Sequence, residues 1–444
     1  MYGAQLIEAL RRQQPLSWTG EAPVTPHSKA ELEFFGVGGE KMRAAGCDIV
    51  VDAKELSVVG ISEILGHLPK IWGLFHKLIT EADKRRPDLA VVIDSPAFNW
   101  RVARQMKKRA VPVVYYVCPQ FWAWRQGRVR LLRKYVDKAL VIFPFEEKFY
   151  RERGVDAEFV GHPLAGLPRP TISRHDYAAK HGLVASKPWI TLMPGSRAKE
   201  VRMNLPRILE AAFSLGSEYE FLIPVAPTVG SSFIQSIMGS HPSNKAKGGA
   251  ASIRPAEIRN VGEQSSPART RASGPTRTSL DSSCGAEPKN LVHLVPEALP
   301  ALAHSRAGII ASGTATVEAA MMETPFVMVY RVTPLTYLLG RWTVKVPHFA
   351  MVNLIAGELI VPELVQQDFT AEKVATELNR IILDGAPRQK MIEGLRSVKR
   401  LLSAGSTDGH AADRAARAIS ELLQTRASGA AFSGTGGDAR TSIG

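Results

Sequence analysis

Short runs of β-branched and aliphatic residues recur along this chain, each followed by a stretch with helical spacing, and that alternation restricts the fold more than any other feature. In the first half the runs are Phe34-Phe35-Gly36-Val37, Leu89 to Asp94, Val111 to Val117 and Ala139 to Phe143. Near-continuous apolar runs of this length read as parallel strands buried on both faces. Asn99 to Ala110 and Gln126 to Val136 supply helical spacing between them, so the pattern is a β-α-β series. A second series runs through Trp189 to Met193, Phe221 to Val225, Ala307 to Ala311 and Pro325 to Tyr330. At 444 residues the chain exceeds one ordinary domain. The expected fold is therefore α/β: two Rossmann-like, doubly wound domains facing a cleft. In such folds ligands sit beyond the carboxyl ends of the strands.

The expected boundaries are residues 1–165 for the first domain and 166–345 for the second. Residues 239–290, rich in Ser, Pro, Gly, Lys and Arg, read as a disordered insertion. Residues 346–425 read as C-terminal helices packing back across both domains, and 426–444 as a disordered tail.

The segments after the strands carry the candidate chemistry. Asp94 ends an apolar strand just before a turn, where it serves either as a general base for transfer to an alcohol or as a cap for the next helix. Gly195-Ser196-Arg197 forms a tight turn between strand and helix; its N–H groups and the Arg197 guanidinium suit a diphosphate, although many such turns only reverse the chain. Ser312-Gly313-Thr314-Ala315-Thr316 repeats that arrangement. Glu318 follows within the helix, placed to meet ribose hydroxyls or simply to complement the helix dipole.

A net charge of +14 calls for a polyanionic partner, and charge alone does not choose between nucleic acid and an anionic membrane. Pro119 to Arg130 gathers Trp122, Trp124 and several cations, which suits lipid contact, single-stranded nucleic acid or internal packing. Leu56 to Ile79 is too apolar for an ordinary surface helix, and Ile61, Ile64, Leu65, Leu68, Trp72 and Phe75 are candidate membrane contacts, with a partner subunit or the core as the other destinations. No run approaches the roughly 20 apolar residues of a spanning helix. His162, alone before Pro163, reads either as a substrate contact or, as is more common for such a residue, as a backbone cap. The cysteines Cys47, Cys118 and Cys284 fall in no ligand or disulfide spacing and, with no export signal at the N-terminus, point to a cytoplasmic protein.

Taken in order, Phe35-Gly36-Val37-Gly38-Gly39-Glu40-Lys41-Met42, Ile93-Asp94-Ser95-Pro96, Trp122-Ala123-Trp124-Arg125, Phe159-Val160-Gly161-His162-Pro163, Leu192 to Arg197, Ser312 to Ala315 and Asn353 to Gly357 resemble the lipid-A-disaccharide synthase family. The likeness runs from Tyr2 to about Leu423. It implies an inverting, metal-independent transferase of the two-Rossmann (GT-B) type with no cofactor. That enzyme joins UDP-2,3-diacylglucosamine to 2,3-diacylglucosamine 1-phosphate, giving lipid A disaccharide 1-phosphate and UDP. Asp94 becomes the base, Arg197 and the 312–316 turn hold the diphosphate, and Glu318 and Asn353 surround the nucleotide. It further implies peripheral attachment to the cytoplasmic face of the inner membrane, with a homodimer left open and no nucleic acid as partner.

Family members carry a strand and a Gly-Glu-x-Ser-Gly-Asp loop ahead of the helix that Tyr2 to Leu10 resembles. Here that helix comes first, so the first strand of the N-terminal domain is expected to be missing. The alternatives are therefore an impaired, truncated homologue, or a related transferase or epimerase acting on a soluble UDP-sugar.

Overall fold

The computed structural model describes residues 1–13, 32–57, 64–166, 168–239, 291–333, 337, 346–403 and 410–433, without the side chains of 57, 64–68 and 426–433. The region 239–290 therefore lies outside the description beyond its first residue, as does Ile61. All the strand pairs described are parallel.

In the N-terminal half, β1 (Phe34–Gly38) pairs with β2 (Cys47–Asp52) as a two-stranded sheet. A separate sheet runs β3 (Ala90–Ile93), β4 (Val113–Tyr116), β5 (Lys138–Val141) and β6 (Ala157–Phe159) in that order. Val51 from the first sheet and Val92, Val113 and Val141 from the second share one apolar core, closed by Phe75, Leu78 and Ile79 of the helix Ile64–Arg85.

The C-terminal half contains β7 (Trp189–Met193), β8 (Glu220–Pro224), β9 (Val292–Val295), β10 (Ala307–Ala311), β11 (Phe326–Tyr330) and β12 (Glu363–Val365). Their spatial order is β12-β11-β10-β7-β8-β9. The chain thus starts in the middle at β7, winds outward to β9, returns and winds the other way from β10. This is the doubly wound order, and its switch point lies between β7 and β10, which pair directly with Ile310 beside Met193. The two glycine turns follow these two strands, so the topology sets them side by side at the crevice where such sheets bind ligands.

The two halves share a continuous core. Leu6, Leu10, Tyr116 and Leu140 of the first belong to the same buried cluster as Ile190, Leu192, Ile309 and Val317 of the second. The final helix, Ala411–Ser433, contributes Ala415, Ala416 and Ile419 to that cluster. It runs past residue 426, where the sequence suggested a disordered tail; Ala427, Ala430 and Ala431 favour helix and no proline interrupts it.

Candidate functional site

On the N-terminal side the site begins with two consecutive left-handed residues, Asp94 at φ +49° and Ser95 at φ +42°. Such conformations cost a non-glycine residue roughly 1–3 kcal/mol each and persist where surrounding contacts fix them. Those contacts are present. The Asp94 N–H donates to the Tyr116 carbonyl at 3.2 Å. Its carbonyl accepts the Tyr115 hydroxyl at 2.7 Å and the Asn99 amide at 2.6 Å, while Asn99 also donates to the Ile93 carbonyl at 2.8 Å. Burial pushes the Tyr115 phenol far up, so it stays a donor. The Asp94 backbone is thereby locked, whereas its side chain is exposed and has no hydrogen-bond partner among the described residues. Neither residue caps: Ser95 occupies the N-cap of the helix Pro96–Lys108 without a side-chain capping bond.

On the C-terminal side the two glycine turns differ. At the first, Gly195 has φ +122°, and the Glu200 carboxylate turns back on it. Glu200 Oε2 accepts the N–H groups of Ser196 and Arg197 at 3.2 and 3.3 Å, and Oε1 accepts Arg197 Nη1 at 2.7 Å. The chain's own carboxylate thus occupies the donors that the sequence offered to a diphosphate. At the second, Gly313 has φ +141° and leads into the helix Thr314–Met322, whose first turn carries no acid. The N–H groups of Gly313, Thr314 and Ala315 have no hydrogen-bond partner among the described residues, leaving an open anion site at the switch point.

Not every predicted side chain reaches the cleft. Ser312 Oγ donates to the Phe349 carbonyl at 2.8 Å, and buried Thr316 donates to the Gly313 carbonyl at 2.8 Å, so neither hydroxyl hydrogen is free for phosphate; Thr314 is exposed and unengaged. Asn353 requires a correction. It is fully buried, donating to the Val361 carbonyl (2.9 Å) and Glu363 Oε1 (2.8 Å) and accepting the N–H groups of Ile360 and Val361. Its amide braces the 360–363 turn and leaves nothing for a nucleotide. Burial corrects another reading: Phe75 is 7% exposed, packed edge-on to Phe98 at 5.9 Å, and is a core residue. Trp72, three residues earlier, is 60% exposed. The side chains of Ile64, Leu65 and Leu68 fall outside the description.

Glu318 is half-buried with no hydrogen-bond partner among the described residues, and burial raises its pKa. It and Asp94, from opposite halves, both act electrostatically on the Tyr2 phenol, whose pKa is raised first by burial and then by these two charges.

Sequence patterning missed Glu146. It is completely buried, accepting Trp122 Nε1 at 2.8 Å and the N–H groups of Ile142 and Phe143 at 3.2 and 3.0 Å; burial raises its pKa to about 7. It ties the Trp122 loop to the helix Pro144–Arg151. Trp122 is packed inside, whereas Trp124 is 46% exposed under the Arg125 guanidinium. His162 is buried and accepts the Leu164 N–H at 3.2 Å, with its pKa lowered to about 4 by burial.

Comparison with known proteins gives a consistent result. The family model described as lipid-A-disaccharide synthetase matches residues 1–247 and 283–417. The lipid-A-disaccharide synthase of Koribacter versatilis is 46% identical over 426 residues, covering 96% of each chain. That of Acidobacterium capsulatum is 41% identical, covering 96% of this chain and 94% of its own. Among solved structures, the glycotransferase of kitacinnamycin aligns with a TM-score of 0.54 at 13% identity, covering 95% of this chain and 96% of that one. The calicheamicin glycosyltransferase CalG4 aligns at 0.51 and 14% identity, covering 96% and 94%. At such identities the structural likeness carries the GT-B fold alone.

Proposed function

This chain belongs to the lipid-A-disaccharide synthase family, and from that premise we propose how its residues carry out disaccharide synthesis. It is a glycosyltransferase that uses a UDP-sugar and a lipid acceptor to build the lipid A disaccharide. The donor we assign is UDP-2,3-diacylglucosamine, the acceptor 2,3-diacylglucosamine 1-phosphate, and the product the β-1,6-linked disaccharide 1-phosphate.

The observation that carries this reading is an unpartnered strand-end carboxylate, Asp94, in one half, together with the open N–H groups of the Gly313 turn at the switch point of the other. Asp94 takes the proton from the acceptor 6-hydroxyl as its oxygen bonds to the donor C1 from the face opposite the diphosphate. The bond from C1 to the diphosphate oxygen breaks, UDP leaves with its electron pair, and the anomeric centre inverts. The Gly313 turn meets the leaving charge with backbone donors, and Arg197 adds a cation once Glu200 releases it. Glu318 accepts from ribose hydroxyls.

Mass spectrometry of the product from defined acylated donor and acceptor tests the reaction. Asp94→Asn should lower kcat by roughly 10²–10⁴-fold, the range for loss of a general base, while UDP affinity stays the same. Unchanged turnover would remove Asp94 from this role.

We place the enzyme on an anionic membrane surface, as a peripheral protein of the inner membrane's cytoplasmic face. No helix among the described residues is long and apolar enough to cross a bilayer. Exposed Trp72, with Lys70 on the same helix, supports the docking. Trp72→Ala should weaken co-sedimentation with anionic vesicles. A homodimer would cover Trp72 as well, so the same variant is compared by sedimentation equilibrium without lipid.

A further inference from the structure

Next to Asp94 the N-terminal half holds an apolar space that the polar chemistry of the site leaves unused. The helices Pro96–Lys108 and Val129–Tyr135 pack against each other and leave a groove of about 280 Å³. Pro96, Trp100 and Ala103, four and three residues apart, line it from the first helix, and Leu131 and Tyr135, four apart, line it from the second. Such spacings place each set on one helix face. The groove reaches the candidate base through Tyr115 of β4, which also lines it and whose hydroxyl donates to the Asp94 carbonyl at 2.7 Å.

The lining decides what the groove takes. Tyr115 spends its hydroxyl on Asp94, so its contribution to the wall is ring carbon. Ala103 is buried, whereas Trp100, Leu131 and Tyr135 are half-exposed, leaving apolar surface in water that an apolar ligand would cover. The volume lies just under the roughly 300–1,000 Å³ of ordinary ligand sites. It therefore suits a stretch of one hydrocarbon chain rather than a whole lipid. Arg101, Arg104, Arg130 and Arg133 are exposed on the two helices, and neither helix contains an acid, which favours a chain carried by an anionic head. Phe98, on the opposite face of the helix Pro96–Lys108, meets Phe75, so the groove is separate from the surface around Trp72.

We propose that this groove is an acyl-chain subsite, holding a stretch of one chain of the lipid acceptor while the acceptor 6-hydroxyl lies at Asp94. The assignment rests on the disaccharide-synthesis reading above. It selects the acceptor over the donor because the groove adjoins Asp94, whereas the donor's diphosphate is assigned to the Gly313 turn of the other half.

The test measures product formation by the full chain in detergent, with long-chain 2,3-diacylglucosamine 1-phosphate and with its 2,3-diacetyl counterpart as acceptors. Leu131→Gln keeps the size of the side chain and makes it polar; Leu131→Met keeps it apolar. Leu131→Gln should raise KM for the long-chain acceptor by about tenfold, as for roughly two methylenes returned to water. Its kcat, its KM for the diacetyl acceptor, its binding to anionic vesicles and its melting temperature should match wild type, and Leu131→Met should match wild type throughout. If Leu131→Gln melts early, Trp100→Gln on the facing wall reads the same difference between acceptors. An unchanged long-chain KM overturns the subsite and leaves disaccharide synthesis standing. An equal rise for both acceptors places the effect on Asp94 rather than on the chain and also overturns it, as does a loss of vesicle binding, which assigns the groove to bilayer lipid. Wild type that makes no disaccharide from the long-chain pair overturns both readings.

Discussion

Glu146 and His162 sit on either side of Phe143, one bonded to its N–H at 3.0 Å and the other against its ring with centroids 5.3 Å apart. Both are buried in their neutral-favouring surroundings, and their effects on stability oppose one another. Glu146 is raised from 4.5 to about 7, so the folded state holds its proton longer. Its stabilisation is complete below 4.5 and is lost as pH rises through 7, by about 3 kcal/mol. His162 is lowered from 6.5 to about 4, so the unfolded state binds the proton first. Its stabilisation is complete above 6.5 and is lost as pH falls through 4, by a similar amount of about 3 kcal/mol. Between pH 4.5 and 6.5 the two slopes cancel. Urea unfolding should therefore show His162→Phe losing stability as pH rises from 5 to 7, and Glu146→Gln gaining stability as pH rises from 4 to 6.5. Two variants with the wild-type slope would show that neither group titrates as its burial requires. Neither residue stands out locally in sequence, because a Glu in a first helical turn and a His before Pro have ordinary local uses. Their weight comes from burial and from Trp122 and Phe143, contacts that only the fold supplies.

Among elements, the turn after β7 yields the sharpest contrast with expectation. Glu200 closes the start of the helix Ala198–Ser214 by accepting the Ser196 and Arg197 N–H groups, which also makes it a competitor for any bound phosphate. Glu200→Ala should cost about 1 kcal/mol of stability through the lost capping interaction. It should also tighten UDP binding, because two backbone donors and the Arg197 guanidinium become free. Calorimetry and thermal unfolding of one variant separate the two effects; weaker UDP binding would show that this turn does not serve the diphosphate. At the other turn, a Cβ on Gly313 meets nothing within 4 Å, so Gly313→Ala is opposed by its φ of +141° rather than by collision. It should lower both UDP affinity and melting temperature. Patterning found β1, β3, β4, β5, β7, β8, β10 and β11, including every interior strand. The four it missed, β2, β6, β9 and β12, are all sheet edges. An edge strand is short and partly solvated, and Asp48, Glu158, His293 and Glu363 interrupt the apolar run that marks a buried one. The strand-end Asp94 and both glycine turns were legible because each follows a near-continuous apolar run. Asn353 was not, since its assignment came from motif likeness and its amide is used within its own turn.

At the scale of the whole molecule, the last described helix closes onto the first. Arg12 pairs with Asp413 at 2.7 Å, Gln13 donates to the Asp413 carbonyl at 2.7 Å, and Arg414 donates to the Val160 carbonyl at 2.7 Å. Beneath these, Leu6, Ala9 and Leu10 share a core with Ala415, Ala416 and Ile419. The exposed pair contributes little, so the apolar contact carries the docking. Burial of a Leu or Ile side chain is worth roughly 1.5–3 kcal/mol, and several together are a large share of the 5–15 kcal/mol that typically holds a domain folded. Both helices lie in the core that the two halves share, so the halves should unfold together. Ala415→Asp forces an unpaired carboxylate into the contact. Scanning calorimetry should then show the wild-type transition split in two, with an early step for the N-terminal half, while UDP binding by the C-terminal half is retained. A single transition at the wild-type temperature would show that the final helix does not hold the cleft's first wall in place.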